Sequence, residues 1–236
     1  MASTKNIFIT FALLIFSIIF FGLSSVDYQL QDLFFNFNTK YWILTPYDQP
    51  YEFIFYSGIK KLLIIISILF LFSLAFIKLN KTIKSYKRGI LVIVLSAIFV
   101  PATIGVLKGN TNMPCPRDEI AYGGLYPKTK VWESFPQEVL ARGQQLKCWP
   151  AGHASGGFAL MSFFFLFKKR RNKYLALGAA LIIGWAMGTY KMIIGDHFLS
   201  HTVITMILAW LIILIIARAT KVEEVKEHGH TKNTDS

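Results

Sequence analysis

The chain has 236 residues, of which 54% are hydrophobic and only 16% are charged. An ordinary water-soluble domain is excluded, because such domains carry about a quarter charged residues and lack long uninterrupted apolar runs. The net charge of +12 comes from basic residues beside apolar runs, without the interleaved aromatics of a nucleic-acid groove. We therefore expect a lipid bilayer with anionic headgroups as the partner, and no nucleic acid.

Six apolar runs approach the ~20 residues needed to cross about 30 Å of hydrocarbon. The sequence predicts an all-α integral membrane bundle of six transmembrane helices with two longer outer loops. A cleaved signal peptide is the alternative for the first run, but no small-residue cleavage site follows it. In chain order, the runs are Ile7–Leu23, Leu62–Leu79, Gly89–Leu107, Gly156–Phe167 (extended at its start by Pro150–Ser155), Tyr174–Ile194 and Phe198–Ala217.

Loop charges predict the orientation, because positively charged loops remain in the cytoplasm. Both termini are then cytoplasmic, and residues 24–61 and 109–149 face the periplasm of a bacterial inner membrane. We expect one membrane domain over residues 1–221 and a disordered polar tail over residues 222–236. The basic residues lie between runs two and three (Lys78, Lys81, Lys84, Lys87, Arg88) and between runs four and five (Lys168, Lys169, Arg170, Arg171, Lys173).

Two cysteines, Cys115 and Cys148, both fall in the second outer loop. Paired cysteines tend to be oxidised in a periplasm, so we expect a disulfide, with two free thiols as the alternative. The bridge would close a loop of about 34 residues and contribute roughly 3–4 kcal/mol in the chain-entropy model.

The segment Pro-Ala-Gly-His-Ala-Ser at residues 150–155 predicts a helix start at the outer boundary. The free backbone amides of a first turn favour an anion, and Gly152 allows its close approach. His153 could donate a proton to a leaving alkoxide, with Ser155 as a supporting hydroxyl. The alternative is a histidine that anchors the helix at the interface.

The segment at residues 190–201 carries Lys191, Asp196, His197 and His201. The two histidines are four residues apart, so they share one helical face. A histidine nucleophile needs a neutral ring whose second nitrogen is held by another group. His201 could hold it, less strongly than a carboxylate, and Asp196 could assist from a non-helical position.

A histidine pair with this spacing also suits a metal, with His153 as a third ligand. No further ligand cluster is evident in the sequence. We therefore expect chemistry without a metal or any other cofactor.

Lys108 ends the third run and is followed by a stiff Pro-Cys-Pro turn before Arg117. Such a turn can hold a guanidinium in place to bind phosphate oxygens through two hydrogen bonds. The alternatives are a lysine that snorkels to the interface and an arginine neutralised by the neighbouring Asp118 and Glu119.

The order of these motifs resembles the type 2 phosphatidic acid phosphatase superfamily, whose pattern is Lys-x6-Arg-Pro, then Pro-Ser-Gly-His, then Ser-Arg-x5-His-x3-Asp. The resemblance covers roughly residues 60–215 and implies a metal-free membrane phosphatase with an outward active site. By position, it implies His197 as the nucleophile that forms a phosphohistidine, His153 as the general acid, Lys108, Gly152 and Lys191 as phosphate-binding residues, and His201 in place of the orienting aspartate.

The chain departs from this pattern in all three motifs. Cys115 stands at the first-motif arginine position, so Arg117 comes two residues late and is assigned to phosphate binding by its charge. Lys191 replaces an arginine and loses its planar fork. Two further departures are Ala151 and Tyr190, each in place of a serine.

Taken together, the sequence predicts a phosphatase for a phosphate or pyrophosphate monoester of a lipid. Polyprenyl pyrophosphate, phosphatidylglycerol phosphate, phosphatidic acid and lipid A all fit. A lipid-to-lipid phosphotransferase with the same site and a pseudoenzyme that binds anionic lipid are the alternatives. A transporter is less favoured, because most runs lack mid-span charges.

Overall fold

The computed structural model describes residues 2–76, 78–135, 137–140, 143 and 145–230. In this part of the chain, nine α-helices and one short hairpin form a helical bundle. The helices are α1 (Thr4–Leu23), α2 (Val26–Gln31), α3 (Gly58–Ala75), α4 (Lys81–Ser85), α5 (Lys87–Asn110), α6 (Gln137–Leu140), α7 (Gly152–Ala159), α8 (Arg170–Ile193) and α9 (Leu199–His230).

Short elements connect the long helices on the side where α1 ends. Strands β1 (Phe35–Asn36) and β2 (Tyr41–Trp42) pair antiparallel, with Phe35 opposite Trp42. A π-helical segment, Phe53–Ser57, runs directly into α3. The 3-10 helices Asp32–Phe34, Pro116–Asp118 and Ile120–Tyr122 also lie in these connections, whereas the 3-10 helix Leu160–Phe165 continues α7 into the bundle.

Among the described residues, five helical segments are long and apolar enough to cross a membrane. They overlap with the first, second, third, fifth and sixth runs, and they confirm an all-helical protein with candidate membrane-spanning helices. The second begins earlier than its run, because the π-helical segment extends α3 towards its start. The five segments are Thr4–Leu23, Phe53–Ala75, Lys87–Asn110, Arg170–Ile193 and Leu199–Thr220.

The fourth run does not form the single long helix that the sequence predicted. The eight residues of α7 pass into a 3-10 helix of six residues, Leu160–Phe165. Even at 1.5–2 Å per residue, these two elements are shorter than about 30 Å of hydrocarbon. The segment is nevertheless central, because α7 packs against α5, α8 and α9 and Phe158 is fully buried.

Glycines bring α7 and α8 into close contact. A Cβ on Gly157 would lie 2.7 Å from the Cα of Gly184, and a Cβ on Gly184 would overlap the ring of Phe158. Small residues let membrane helices approach backbone to backbone, where van der Waals contact replaces the missing hydrophobic drive. This contact sets the start of α7 beside the last turns of α8.

The helix directions separate a basic end from the opposite end of the bundle. Helices α5 and α8 both begin with basic residues, and Lys168 lies 4.8 Å from the ring of Tyr86, which joins their starts. Arg88 donates to the carbonyl of Ala217 at 3.0 Å, and Arg218 donates to Thr4. The start of α1 and residues 217–218 of α9 therefore lie at the basic end.

Helix α9 continues to His230, so residues 222–230, which the sequence placed in a disordered tail, have a helical backbone. Glu, Lys and Val there permit helix continuation, since none is a strong helix breaker. Residues 231–236 of the predicted tail lie outside the described residues.

The packing of α7 on α8 predicts that Gly184→Ala destabilises the bundle. The added methyl group would meet the ring of Phe158, and overpacking of this kind costs about 1–3 kcal/mol. Thermal unfolding of the purified protein in detergent measures the loss. Gly178→Ala in the same helix is the matched control, because nothing lies within 4 Å of its Cβ position. Equal unfolding midpoints for the two variants would contradict the close contact.

Candidate active site

The three motifs of the sequence meet at the end of the bundle opposite the basic loops. His153 lies in the first turn of α7, and Lys191 lies in the last turn of α8. The ring centroids of His153 and His197 are 5.7 Å apart. The Nζ of Lys108 lies 3.7 Å from the point that a Cβ of Gly152 would occupy, so the lysine lies directly beside the start of α7. The structure thus brings both histidines and the cations of all three motifs together.

His197 and His201 form a buried pair, and each is only 1% exposed. Their Nδ1 atoms are 3.4 Å apart. His197 precedes α9 instead of opening it, because Gly195 adopts a positive φ of 75° and the chain turns before Leu199. The rings still meet, as the i, i+4 spacing predicted.

The other ring nitrogen of His197, Nε2, is buried without a hydrogen-bond partner. An unpaired buried polar atom is unfavourable unless a ligand satisfies it. Burial lowers the pKa of His197 well below its usual value, and the neighbouring His201 and His153 add to this effect. The ring is therefore neutral, with a nitrogen available to a substrate.

Asp196 joins two of the predicted phosphate-binding residues. Its Oδ2 lies 2.8 Å from Nζ of Lys191, and its Oδ1 lies 2.6 Å from a guanidinium nitrogen of Arg117. The carboxylate and Lys191 are buried, whereas the Arg117 side chain is 46% exposed. Asp196 thus contacts cations and not the ring of His197, which the sequence had offered as its partner.

A backbone hydrogen bond holds Arg117, in the first-motif loop, beside the turn that contains Gly195. Arg117 lies in the 3-10 helix Pro116–Asp118, and its N–H donates to the carbonyl of Gly195 at 3.1 Å. The neighbouring acids are engaged elsewhere: Asp118 accepts from the Cys115 N–H at 3.2 Å, and Glu119 accepts from Tyr28. The partner of Arg117 is therefore Asp196, 79 residues away along the chain.

Ser155, which the sequence offered as a supporting hydroxyl, acts within its own helix. It is buried, and its Oγ donates to the carbonyl of Gly152 at 2.7 Å. The hydroxyl therefore stabilises the first turn of α7. It does not replace the serine of the family pattern, whose position is occupied by Ala151.

Cys115 and Cys148 are joined in a disulfide with a Cα–Cα distance of 5.2 Å, which lies in the usual range. The Sγ of Cys148 lies 3.3 Å from the carbonyl oxygen of Asp196. Possible ligand atoms of Cys115, Asp118 and Cys148 lie within 4.8 Å of one another. The two sulfur atoms are bonded to each other and are therefore unavailable to a metal. The bridge ties the first-motif loop to the residues that precede α7.

A cleft of about 440 Å³ lies beside His153 between α3, α5 and α7. The ring of Tyr56 stands edge-on to His153 at 4.9 Å, and Nζ of Lys191 lies 4.4 Å from the Tyr56 centroid. Most of the lining is apolar, with Lys60 near Tyr56. Sequence analysis missed Tyr56 and Lys60, since nothing in the residues just before the second run marks either as close to a motif.

Residues from the segment after α1 support the turn between α8 and α9. Asp27 accepts from the Ser200 N–H at 2.8 Å and caps the start of α9. Gln31 donates to the carbonyl of Met192 at 2.8 Å, and the ring of Trp42 covers Gly195. Burial raises the pKa of Asp27, against the opposing hydrogen bonds from Ser200. These contacts span more than 150 residues and leave no local signal in the sequence.

Glu119 is a second buried carboxyl group on this side of the bundle, only 2% exposed. Tyr28 donates to its Oε2 at 2.5 Å, and Nζ of Lys128 lies 4.0 Å from the Tyr28 ring. Burial raises the pKa of Glu119 to about 7, against the lowering effects of the Tyr28 hydrogen bond and of Lys128. Burial and Glu119 together raise the pKa of Tyr28, so the phenol remains the donor.

The raised pKa of Glu119 predicts a pH-dependent stability. The group binds its proton more tightly in the folded protein than in the unfolded chain, where its pKa is 4.5. Its contribution is therefore complete below about pH 4.5 and is lost as the pH rises through about 7.

We expect Glu119→Gln to be less sensitive to pH over this window and more stable than the parent above about pH 7. Thermal unfolding midpoints across the window measure the difference between the two proteins. Glu133→Gln is the control, because Glu133 is exposed and its pKa is lowered by Lys130. If parent and Glu119→Gln midpoints changed in parallel, the raised pKa would be wrong.

A comparison with known protein families places these motifs in context. The family model of the PAP2 superfamily matches residues 89–223, more than half of the chain, and this range contains all three motifs. No curated protein and no solved structure matches the chain. The resemblance to the type 2 phosphatidic acid phosphatases is thereby confirmed, and the chain belongs to the PAP2 superfamily.

Proposed function

We propose that the protein is a membrane phosphatase that hydrolyses a phosphate or pyrophosphate monoester of a lipid through a phosphohistidine at His197. The observation that carries the proposal is the buried, unpartnered Nε2 of His197, close to His153 and the site cations. Membership of the PAP2 superfamily supports phosphatase chemistry on phosphate esters.

The proposed phosphate site has more positive than negative charge. Lys108, Arg117 and Lys191 supply three cations, and Asp196 supplies one carboxylate. A phosphate group would therefore meet a net attraction, and it would share Lys191 and Arg117 with Asp196. Cations that are already in place where charge develops stabilise a transition state more than mobile ones. The amide at Gly152, where α7 begins, would add a backbone donor.

The reaction would proceed in two displacements. The lone pair on Nε2 of His197 attacks phosphorus, the P–N bond forms, and the bond from phosphorus to the lipid oxygen breaks. His153, which enters the step as the imidazolium, donates its proton to that oxygen and becomes neutral, so the lipid leaves as an alcohol or, from a pyrophosphate, as a monophosphate. Water then attacks phosphorus, His153 takes the water proton, and the P–N bond breaks to release phosphate. No step requires a metal.

The membrane setting of the proposal follows from the two ends of the bundle. Basic loops mark one end, and positive loops are typically cytoplasmic, so the site would open to the periplasm of an inner membrane. The α7 segment, packed inside the bundle, would complete six crossings through its following residues. The apolar cleft beside His153 suits a lipid chain of any of the four substrates that the sequence allows.

Lipid binding without turnover is the second candidate, favoured by His201 at the position of the orienting aspartate. An imidazole supplies no full negative charge to steady a charged neighbour, so nucleophile activation would be weaker. A phosphotransferase would use the same site, with a lipid hydroxyl in place of water. Products distinguish the three: free phosphate, no product, or a newly phosphorylated lipid.

His197→Ala should abolish phosphate release from dioctanoyl phosphatidic acid and from farnesyl pyrophosphate, because the covalent intermediate cannot form. The losses known for removal of a catalytic nucleophile, about 10⁶-fold, set the scale. Phosphate release by the purified protein and trapping of labelled phosphoenzyme at alkaline pH measure the effect. His228→Ala is the control, and a chelator should leave the rate unchanged. Equal rates for parent and His197→Ala would remove the phosphatase proposal.

Arg117→Ala should lower kcat/KM about 10- to 100-fold, because a hydrogen bond to a charged group contributes roughly 1.5–3 kcal/mol. Arg117→Lys should restore only part of the loss, since it keeps the charge without the planar fork. Arg171→Ala, an exposed arginine at the basic end, is the matched control. An unchanged kcat/KM in Arg117→Ala would mean that the arginine serves only its ion pair with Asp196.

A further inference from the structure

We propose that Lys60 binds a second phosphate group of the substrate, on the side of the site from which the lipid leaves. Substrates whose leaving lipid keeps a phosphate would then be preferred over substrates whose leaving lipid is uncharged. The inference rests on the proposed function, in which His197 attacks phosphorus and His153 protonates the leaving oxygen.

The cleft beside His153 is the space that the leaving lipid would occupy. His153 and Gly152 line this cleft. None of the three cations that would hold the scissile phosphate (Lys108, Arg117 and Lys191) lines it. The general acid must reach the oxygen between phosphorus and the lipid, so the phosphoryl group would lie on the cation side of His153 and the lipid on the cleft side.

Lys60 provides positive charge inside this cleft. It is the only lysine or arginine among the described residues that line the cleft, and no aspartate or glutamate is among them. Three serines also line the cleft, but each hydroxyl donates to a carbonyl of its own segment: Ser67 to Leu63, Ser155 to Gly152 and Ser162 to Ala159. Lys60 is therefore the permanently charged group that a lipid bound among these residues would meet.

Tyr56 connects Lys60 to the general acid. The ring centroids of Tyr56 and His153 are 4.9 Å apart. From the Tyr56 centroid, Nζ of Lys191 lies at 4.4 Å and Nζ of Lys60 at 6.0 Å. Tyr56 thus borders both the proposed phosphate site and the cleft. A group attached to the leaving oxygen beside His153 would come within reach of the Lys60 side chain.

A π-helical turn gives Tyr56 and Lys60 this placement. The N–H of Gly58 donates to the carbonyl of Phe53, five residues earlier, and a Cβ on Gly58 would lie only 2.6 Å from that carbonyl oxygen. Such turns occur frequently at functional sites. The family match begins at residue 89, so it assigns no role to this segment.

Lys60 is available to an anion. Among the described residues, no carboxylate forms an ion pair with it. The acidic residue of its own segment, Glu52, accepts from the hydroxyl of Ser57 at 2.9 Å. Lys60 is also exposed, so its ammonium group can bind a phosphate without first breaking an ion pair. Lys191 differs in this respect, because it is paired with Asp196.

A second phosphate divides the four substrates that the sequence allows into two groups. The leaving lipid is a monophosphate from polyprenyl pyrophosphate, a phosphodiester from phosphatidylglycerol phosphate, and a phosphorylated sugar from lipid A with two phosphates. Phosphatidic acid instead leaves uncharged diacylglycerol. Lys60 would form a charge-assisted hydrogen bond with the first three leaving groups and would gain no such bond with the fourth.

The test compares phosphate release by the purified parent and Lys60→Gln from three matched pairs of substrates. In each pair, only one member keeps a phosphate on the leaving lipid. For that member, Lys60→Gln should lower kcat/KM about 10- to 100-fold, the effect of a lost hydrogen bond to a charged group. For the other member, the change should be less than about threefold. The pairs are farnesyl pyrophosphate with farnesyl phosphate, dioctanoyl phosphatidylglycerol phosphate with dioctanoyl phosphatidic acid, and bisphosphorylated with monophosphorylated lipid A.

A selective loss in one pair alone supports the subsite and identifies which second phosphate it binds. Equal losses for both members of every pair would mean that Lys60 only attracts anionic lipid to the surface. No loss in any pair would mean that it is a lysine that snorkels to the interface. Either of these two results would overturn the proposal.

Lys61→Gln is the matched control. Lys61 is also exposed, but it does not line the cleft, and its Nζ lies 5.9 Å from the Phe53 ring. This variant should leave the rates for all six substrates unchanged. Lys60→Arg should keep most of the selectivity, because it keeps the charge. The same selective loss in Lys61→Gln as in Lys60→Gln would contradict a specific subsite.

Binding to a variant without turnover separates this inference from the proposed function. In the His197→Ala background, Lys60→Gln should raise the Kd for farnesyl pyrophosphate about 10-fold or more, with little change for farnesyl phosphate, as measured by titration calorimetry. If the Kd values change in this way but the parent releases no phosphate, the subsite exists and the phosphatase function is wrong. If release depends on His197 while Lys60→Gln affects both members of each pair alike, the phosphatase function holds and the subsite does not exist.

Discussion

Two histidine rings that touch through their Nδ1 atoms, His197 and His201, lie at the centre of the site and are almost completely buried. Neutral rings can remain there because each N–H is able to find an acceptor, whereas a charged ring would lose its hydration without a counter-ion. The surrounding structure is consistent with this constraint. The second ring nitrogen of His197, Nε2, is buried without a hydrogen-bond partner. The carboxylate of Asp196 forms ion pairs with Lys191 and Arg117 and does not contact the histidine rings.

Asp196 explains how cations of different motifs can lie close together in the site. Its two oxygens bridge Lys191 and Arg117, which belong to different motifs and different elements. Without the carboxylate, these side chains would repel each other across a partly buried space. The same bridge compensates for the two-residue displacement of Arg117, because the backbone bond from Arg117 to Gly195 places the guanidinium beside Asp196.

The first fifty residues contribute to the site although the PAP2 match begins at residue 89. Asp27 caps α9, Gln31 binds the end of α8, and Trp42 covers Gly195 between them. These contacts hold the turn that presents His197. The segment after α1 therefore supports the candidate site and also connects α1 to α3.

The helices that are long and apolar enough to cross a membrane, and the chemical groups of the site, could be predicted from the sequence. Run length and loop charge are local properties, and motif spacing is preserved whatever the fold. Only the tertiary structure decided that the fourth run breaks after Ala159, that Arg117 pairs with Asp196, and that Glu119 binds Tyr28. These outcomes depend on how segments far apart along the chain pack against each other, and hydrophobicity along a single segment carries no information about its distant partner.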